Sequence, residues 1–198
     1  MKLFYSPTSP YARKVRIVAL ERGLDGGIEM IPATPFENPV VAAANPLSKI
    51  PALVLDNGEA LYDSPVICEY LDSLGDGPRV IPASGDARWA TLRLQALADG
   101  VLDAAFSTVM EMRRAEPERS EEWLQRWRAS ILRAIVAAAD EPATTAADQN
   151  LGQITLACAL GYVDFRLPGI NWRAAAPGLV AWFDAWSQKP SFAAAIPA

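Results

Sequence analysis

At 198 residues, with 51% hydrophobic and 21% charged side chains, the chain has the make-up of a water-soluble protein of one large or two small domains. A net charge of −5, with both halves acidic, offers no basic stripe and argues against nucleic acid as a partner. The sequence contains no histidine, which excludes Ser-His-Asp and Cys-His catalysis and imidazole-bound metals, so no metal is expected.

The opening residues 1–7 meet proline before any secretory apolar core could form. No run approaches the roughly 18 apolar residues of a membrane span. These features point to a cytoplasmic protein without membrane contact. Residues 3–5 read as a short strand and residues 11–22 as a helix stopped by Gly23. Arg13, Lys14 and Arg16 form its dense basic group and read as a solvated face. Residues 28–31 read as a second strand. Residues 51–55 and 60–62 are apolar runs flanking Asp56-Asn57-Gly58-Glu59, and Asn-Gly there predicts a two-residue hairpin. Ser64-Pro65 opens a helix to Leu74, with Ser64 as N-cap and Pro65 in the first helical position.

The resulting order is β-α-β-α-β-β-α, which gives a four-stranded mixed sheet in an α/β layer. This is the thioredoxin-like arrangement, assigned to residues 1–77. Gly75-Asp76-Gly77-Pro78 closes the unit, residues 78–85 read as a linker, and residues 86–198 read as an all-helical domain. In the latter Trp123, Trp127, Ile131 and Ile135 recur at helical spacing, as do Leu179, Phe183 and Trp186. Residues 154–165 are apolar nearly all round, as in a helix at the centre of a bundle, and the alanine-rich stretch 134–147 reads as a helix end and loop. Cys68 and Cys158 are too far apart for a Cys-x-x-Cys pair and sit among apolar residues, as structural cysteines do.

Chemistry concentrates at three places. Ser9, before Pro10, stands where the first strand gives way to the first helix. It either caps that helix or, beside open N–H groups and the positive end of the helix dipole, stabilises an anion such as a thiolate. The stretch Asn45-Pro46-Leu47-Ser48-Lys49-Ile50-Pro51 leads into the third strand. Tyr62-Asp63-Ser64-Pro65 opens the next helix, again as a cap or as an anion site.

Ser9-Pro10-Tyr11-Ala12 resembles the Cys-Pro-Tyr-Cys turn of glutaredoxins with both cysteines replaced. In register with Val15-Arg16-Ile17 it also resembles the active-site turn of bacterial serine-type glutathione S-transferases. The resemblance implies the glutathione transferase fold and a catalytic Ser9 that donates a hydrogen bond to the thiolate of glutathione, the co-substrate. It further implies a cis Ile50-Pro51 bond with the Ile50 backbone pairing the cysteinyl part of glutathione. Lys49 lies near the glycyl carboxylate or is solvated. Ser64 holds the γ-glutamyl carboxylate and Asp63 faces the α-amino group. Ala98-Asp99-Gly100-Val101 resembles a segment whose aspartate reaches glutathione across a homodimer, so Asp99 is either such a ligand or plain helix surface. The second substrate is an electrophilic apolar compound lying against Tyr11, Phe106 and Met110, in a detoxification reaction. Residues 152–158 resemble the start of the family's buried sixth helix, but the third residue after Thr155 is Cys158 where the family has Asp, so its charged capping box is missing. Pro190-Ser191-Phe192 resembles the family's terminal motif. Two other readings remain: a glutathione-dependent thiol reductase, and a non-catalytic glutathione-binding or scaffold protein.

Overall fold

β1 (Lys2–Tyr5) is the strand on which the first half of the molecule is assembled. It pairs in parallel with β2 (Glu29–Pro32) and antiparallel with β3 (Ala52–Val54), which pairs antiparallel with β4 (Ala60–Leu61). The order is β2-β1-β3-β4, the expected mixed sheet. The computed structural model describes residues 1–36 and 38–196. Two compact units are present: Met1–Ile81 together with the segment from Lys189, and Pro82–Gln188.

Successive strand residues point to opposite faces of a sheet. Phe4 and Ala52 accordingly pack with Val41 and Ala44 of α2 (Pro39–Ala44), supported by Ile31, Ile50 and Val54. Leu3 and Leu53, which are register partners, lie on the opposite face and are fully buried. The first unit also contains α1 (Pro10–Glu21) and α3 (Ser64–Leu74), which pack on each other through an interior including Val15, Val18, Ile67 and Leu71. α1 stops as the sequence predicts. Gly23 adopts φ +67°, its N–H donates to Leu20, and the Leu24 N–H donates to Ala19 at 2.9 Å. That pair of bonds is a Schellman motif, in which glycine takes the left-handed position without a Cβ penalty.

Two local expectations are corrected. The turn between β3 and β4 is not a two-residue loop. Leu55 pairs with Glu59 and its carbonyl accepts from the Gly58 N–H at 3.0 Å, so Asp56, Asn57 and Gly58 form the loop. Only Gly58 is left-handed there (φ +88°), whereas a two-residue type I′ turn needs two such residues. Asn57 instead uses its amide to take the Glu59 N–H at 3.0 Å. The second correction concerns the basic group of α1. Arg13 and Lys14 are buried, not solvated. Arg13 stacks 3.7 Å over the Phe192 ring and donates to its carbonyl at 3.2 Å, while Arg16 donates to the Ala194 carbonyl at 3.1 Å. Both bonds are to α9 (Pro190–Ala194), which is why the segment from Lys189 belongs with the first unit.

The second unit is built from α4 (Gly85–Met112), α5 (Glu121–Ala139), α6 (Leu151–Arg166), α7 (Trp172–Ala175) and α8 (Gly178–Ser187). α4 packs against both α5 and α6. α6 is buried from Leu151 through Leu160, as its all-round apolarity predicts. Its start differs from expectation: the cap is Asn150, and Thr155 lies inside the helix donating to the Leu151 carbonyl at 2.7 Å. Asn150 accepts from the Gln153 N–H at 3.0 Å and Gln153 accepts from the Asn150 N–H at 3.1 Å, a complete capping box. Cys158 is an uncharged, fully buried member of the core, and the helix is capped without the family's aspartate. Beyond α6, the indole N–H of buried Trp172 donates to Asp164 at 2.8 Å and Arg173 grips the same carboxylate with two bonds of 2.7 and 2.8 Å.

Candidate functional site

The sheet topology brings three chain segments to one end of the first unit. β1 and β3 are antiparallel, so the chain leaving Tyr5 is beside the chain entering Ala52. β3 and β4 are also antiparallel, so the residues after Leu61 reach that same end. Ser9, Lys49-Ile50-Pro51 and Asp63-Ser64 therefore share one rim of the sheet.

Ser9 is the N-cap of α1, extended at φ −78°, ψ 118°, with Pro10 opening the helix. Its Oγ accepts from the Ala12 N–H at 3.2 Å, and its carbonyl takes the Arg13 N–H at 2.9 Å. A serine hydroxyl has one proton and two lone pairs. With a lone pair committed to the helix, the hydroxyl keeps its proton for an incoming acceptor and is half-buried. Tyr11, half-buried, follows in the first turn.

The second segment is shaped by Asn45, which is buried. Its side-chain oxygen accepts from the Leu47 N–H at 3.0 Å and its amide donates to the Lys49 carbonyl at 2.9 Å. An asparagine bonded to its own backbone two residues on folds the loop back on itself. The Lys49 side chain is exposed, Ile50 is half-buried and Pro51 is buried. The Ile50–Pro51 bond is cis, as the resemblance implies. The Ile50 N–H and C=O bond to no other described residue, so one donor and one acceptor stand ready just ahead of β3.

At the third segment Asp63, not Ser64, is the N-cap of α3, and the Tyr62–Asp63 bond is also cis. Ser64 is the first helical residue, and Pro65 the second; the predicted register is thus one residue too late. The Asp63 carbonyl accepts from the Ile67 N–H at 3.0 Å, while its side chain is exposed and makes no capping bond. Consequently the Ser64 and Val66 N–H groups bond to no described residue. Open amides in the first turn of a helix of this length suit an anion. Val66 has no side-chain chemistry, so its contribution was invisible in the sequence; Asn45-Pro46, a turn-initiating pair, did carry a readable signal.

Asp99 lies half-buried on α4 of the second unit, as do Phe106 and the more exposed Met110. Among the described residues, no group of three or more His, Cys, Asp or Glu is placed to hold a metal ion, and no helix is long and apolar enough to cross a membrane.

Residues 3–79 match the family model of the glutathione S-transferase N-terminal domain, and residues 121–185 that of its C-terminal domain. The chain is 36% identical over 201 residues to the uncharacterized GST-like protein YibF of Escherichia coli, covering all of this chain and 98% of that one. A glutathione transferase family member from Pseudomonas fluorescens Pf-5 with bound glutathione is 41% identical, with TM-score 0.95 over 100% of this chain and 98% of that one. A structure of a family member from the same organism holds S-(propanoic acid)-glutathione, with 42% identity and TM-score 0.91 over the whole of both chains.

Proposed function

The chain belongs to the glutathione S-transferase family, and from that premise we propose that it binds glutathione at the rim of the sheet and activates its thiol for attack on an electrophile. The observation that carries the reading is the Ser9 hydroxyl, tied to the Ala12 N–H at 3.2 Å and able to donate its own proton. A thiol with pKa near 8.5 is only about 3% ionised at pH 7, and lowering that value by roughly two units takes about 2.7 kcal/mol of preference for the anion. A charge-assisted hydrogen bond and a helix N-terminus together supply energy of that order. Ser9 is then a donor to the thiolate and not a nucleophile. The sulfur attacks an electrophilic carbon, and the displaced group departs with the bonding electrons, or, in an addition, the adjacent carbon takes a proton.

The remaining contacts follow from the rim. The Ile50 N–H and C=O pair with the cysteinyl backbone, and Pro51 shapes the approach. Ser64, with the open Ser64 and Val66 amides, receives the γ-glutamyl carboxylate, and Asp63 meets the α-amino group. Lys49 faces the glycyl carboxylate. Asp99 serves the amine across a homodimer, and Tyr11 borders the second substrate. That substrate is an apolar electrophile, and the bound propanoic acid conjugate of the Pseudomonas protein puts a short acidic electrophile on the panel to be tried. A cytoplasmic detoxification role completes the proposal.

The test is a calorimetric titration with glutathione, joined to ultraviolet measurement of thiolate in the complex, in the wild type and Ser9→Ala. Wild type is expected to ionise bound glutathione well below its ordinary range. Ser9→Ala is expected to lower conjugation about 10- to 1,000-fold, as when one anion-stabilising donor is lost, while remaining folded. An unchanged rate would remove Ser9 from the mechanism. Binding with ionisation but no turnover across the panel would favour a scaffold role. The reductase reading is disfavoured because Ser9 lacks sulfur for a mixed disulfide and Cys68 and Cys158 are fully buried.

A further inference from the structure

Arg13, Arg16 and Glu21 share one side of α1, and all three reach α9. Glu21, at the C-terminal end of α1, accepts from the Ser191 hydroxyl near the start of α9. Arg13 and Arg16, nearer the start of α1, donate to the Phe192 and Ala194 carbonyls at 3.2 and 3.1 Å. α9 therefore runs antiparallel to α1, with a carboxylate at its positive end and two guanidinium groups at its negative end. A helix of five residues has no stability of its own in water. Its position is set by these contacts and by burial of Phe192, which is 4% exposed.

Arg13 joins this assembly to the thiol site. Its side chain is buried beneath Phe192, and its backbone N–H makes the first helical bond of α1, to the Ser9 carbonyl at 2.9 Å. A displacement of Arg13 is passed through one peptide bond network to the residue whose hydroxyl must meet sulfur. Hydrogen bonds to an anion weaken steeply with distance and misalignment, so small shifts are costly at such a position.

We propose that α9 is a brace for the thiol site and that Arg13 is a positioning residue, fixing the first turn of α1 and so the reach of the Ser9 hydroxyl. This rests on the role given to Ser9 above. It extends that role to a segment more than 170 residues further along the chain.

The full-length chain carrying Phe192→Ala tests it, since that change removes the stacking ring but keeps the Phe192 carbonyl and every charge. Arg13→Lys is the companion: it keeps the charge and loses the planar fork. The readouts are the pKa of the bound glutathione thiol, the pH profile of kcat/KM, glutathione affinity and Tm. Phe192→Ala is expected to raise the bound thiol pKa by roughly half to one unit, which is about three- to tenfold less thiolate in mildly acidic buffer. kcat/KM is expected to fall by that factor there and to recover at alkaline pH, with glutathione affinity changed less than about twofold; Arg13→Lys should lie between. A lower Tm with an unmoved thiol pKa and pH profile would overturn the proposal and leave α9 a stabiliser of the fold only. Should Phe192→Ala fail to fold, Ser191→Ala loosens only the Glu21 tie, and the same two outcomes apply. A wild type that binds glutathione without ionising it sinks the Ser9 reading itself, and is distinguishable from a normal wild type with unaltered variants.

Discussion

Tyr162 shows how one buried side chain couples the fold to pH. It is 5% exposed on α6, and burial raises its phenol pKa above the ordinary 10.0, against the smaller opposing pull of Arg166 and Arg113. Its ionised form is thus disfavoured in the native state. The neutral phenol's contribution to stability is fully present below the unfolded value of 10.0 and is lost as pH rises from there through the raised native value. Tyr162→Phe is expected to flatten the fall of Tm between about pH 9 and about pH 11, measurable by thermal unfolding in a pH series. An equally steep fall in the variant would show that another group governs alkaline stability. Sequence shows a tyrosine in an apolar helix with Arg166 one turn further on, but Arg113, at the end of α4, becomes its neighbour only through folding.

At the scale of elements, the start of α6 carries most of the order in the loop before it. Asn150 caps the helix and also donates to the Ala143 carbonyl at 3.0 Å, while Gln153 donates to the Thr144 and Ala146 carbonyls at 3.1 and 3.0 Å. Asn150→Ala removes a cap and leaves buried groups without partners. It is expected to cost about 1–2 kcal/mol, at the upper end for a cap, seen as a lower urea midpoint with unchanged m-value. A change of a few tenths would mean that the loop repairs itself with water. Asn-x-x-Gln is a readable capping signature, whereas Thr155, where the resemblance puts the cap, lies one turn inside the helix. The β3–β4 turn failed for a different reason. Asn-Gly allows two turn types, and which one forms depends on whether Asn57 is better used with left-handed backbone or in bonding Glu59. That competition is settled by geometry outside the dipeptide. By contrast the strands, α1 and α3 were legible, because short apolar runs, a terminal glycine and Ser-Pro are all local signals.

For the whole molecule, the fold class and the order of elements were readable from one sequence, while the way the chain leaves and rejoins the first unit was not. The departure is fixed by Asp72, fully buried beside Arg22 with Nε–Oδ1 at 3.4 Å, which accepts from the Val80 and Ile81 N–H groups at 2.8 and 3.3 Å. Both lie in the stretch that reads as linker, and both are buried. Asp72→Ala strands the Arg22 guanidinium without its carboxylate and is expected to cost about 3–5 kcal/mol, measured by denaturant unfolding; a cost below about 1 kcal/mol would mean that the pair is incidental. The return was hidden because the pattern of α1 does not say which cations meet water. Arg13 and Arg16 look like a solvated face until α9 is placed beside them. This return also orders events during synthesis. A chain emerges N-terminus first and its early domains start folding before the rest is made. The sheet, α1 and α3 can assemble while the helical unit is still being translated, but α9 is made after α8. For that interval Arg13 has no Phe192 to stack on, so on the ribosome the first unit is formed in outline and gains its Arg13–Phe192 contact only once α9 has been made.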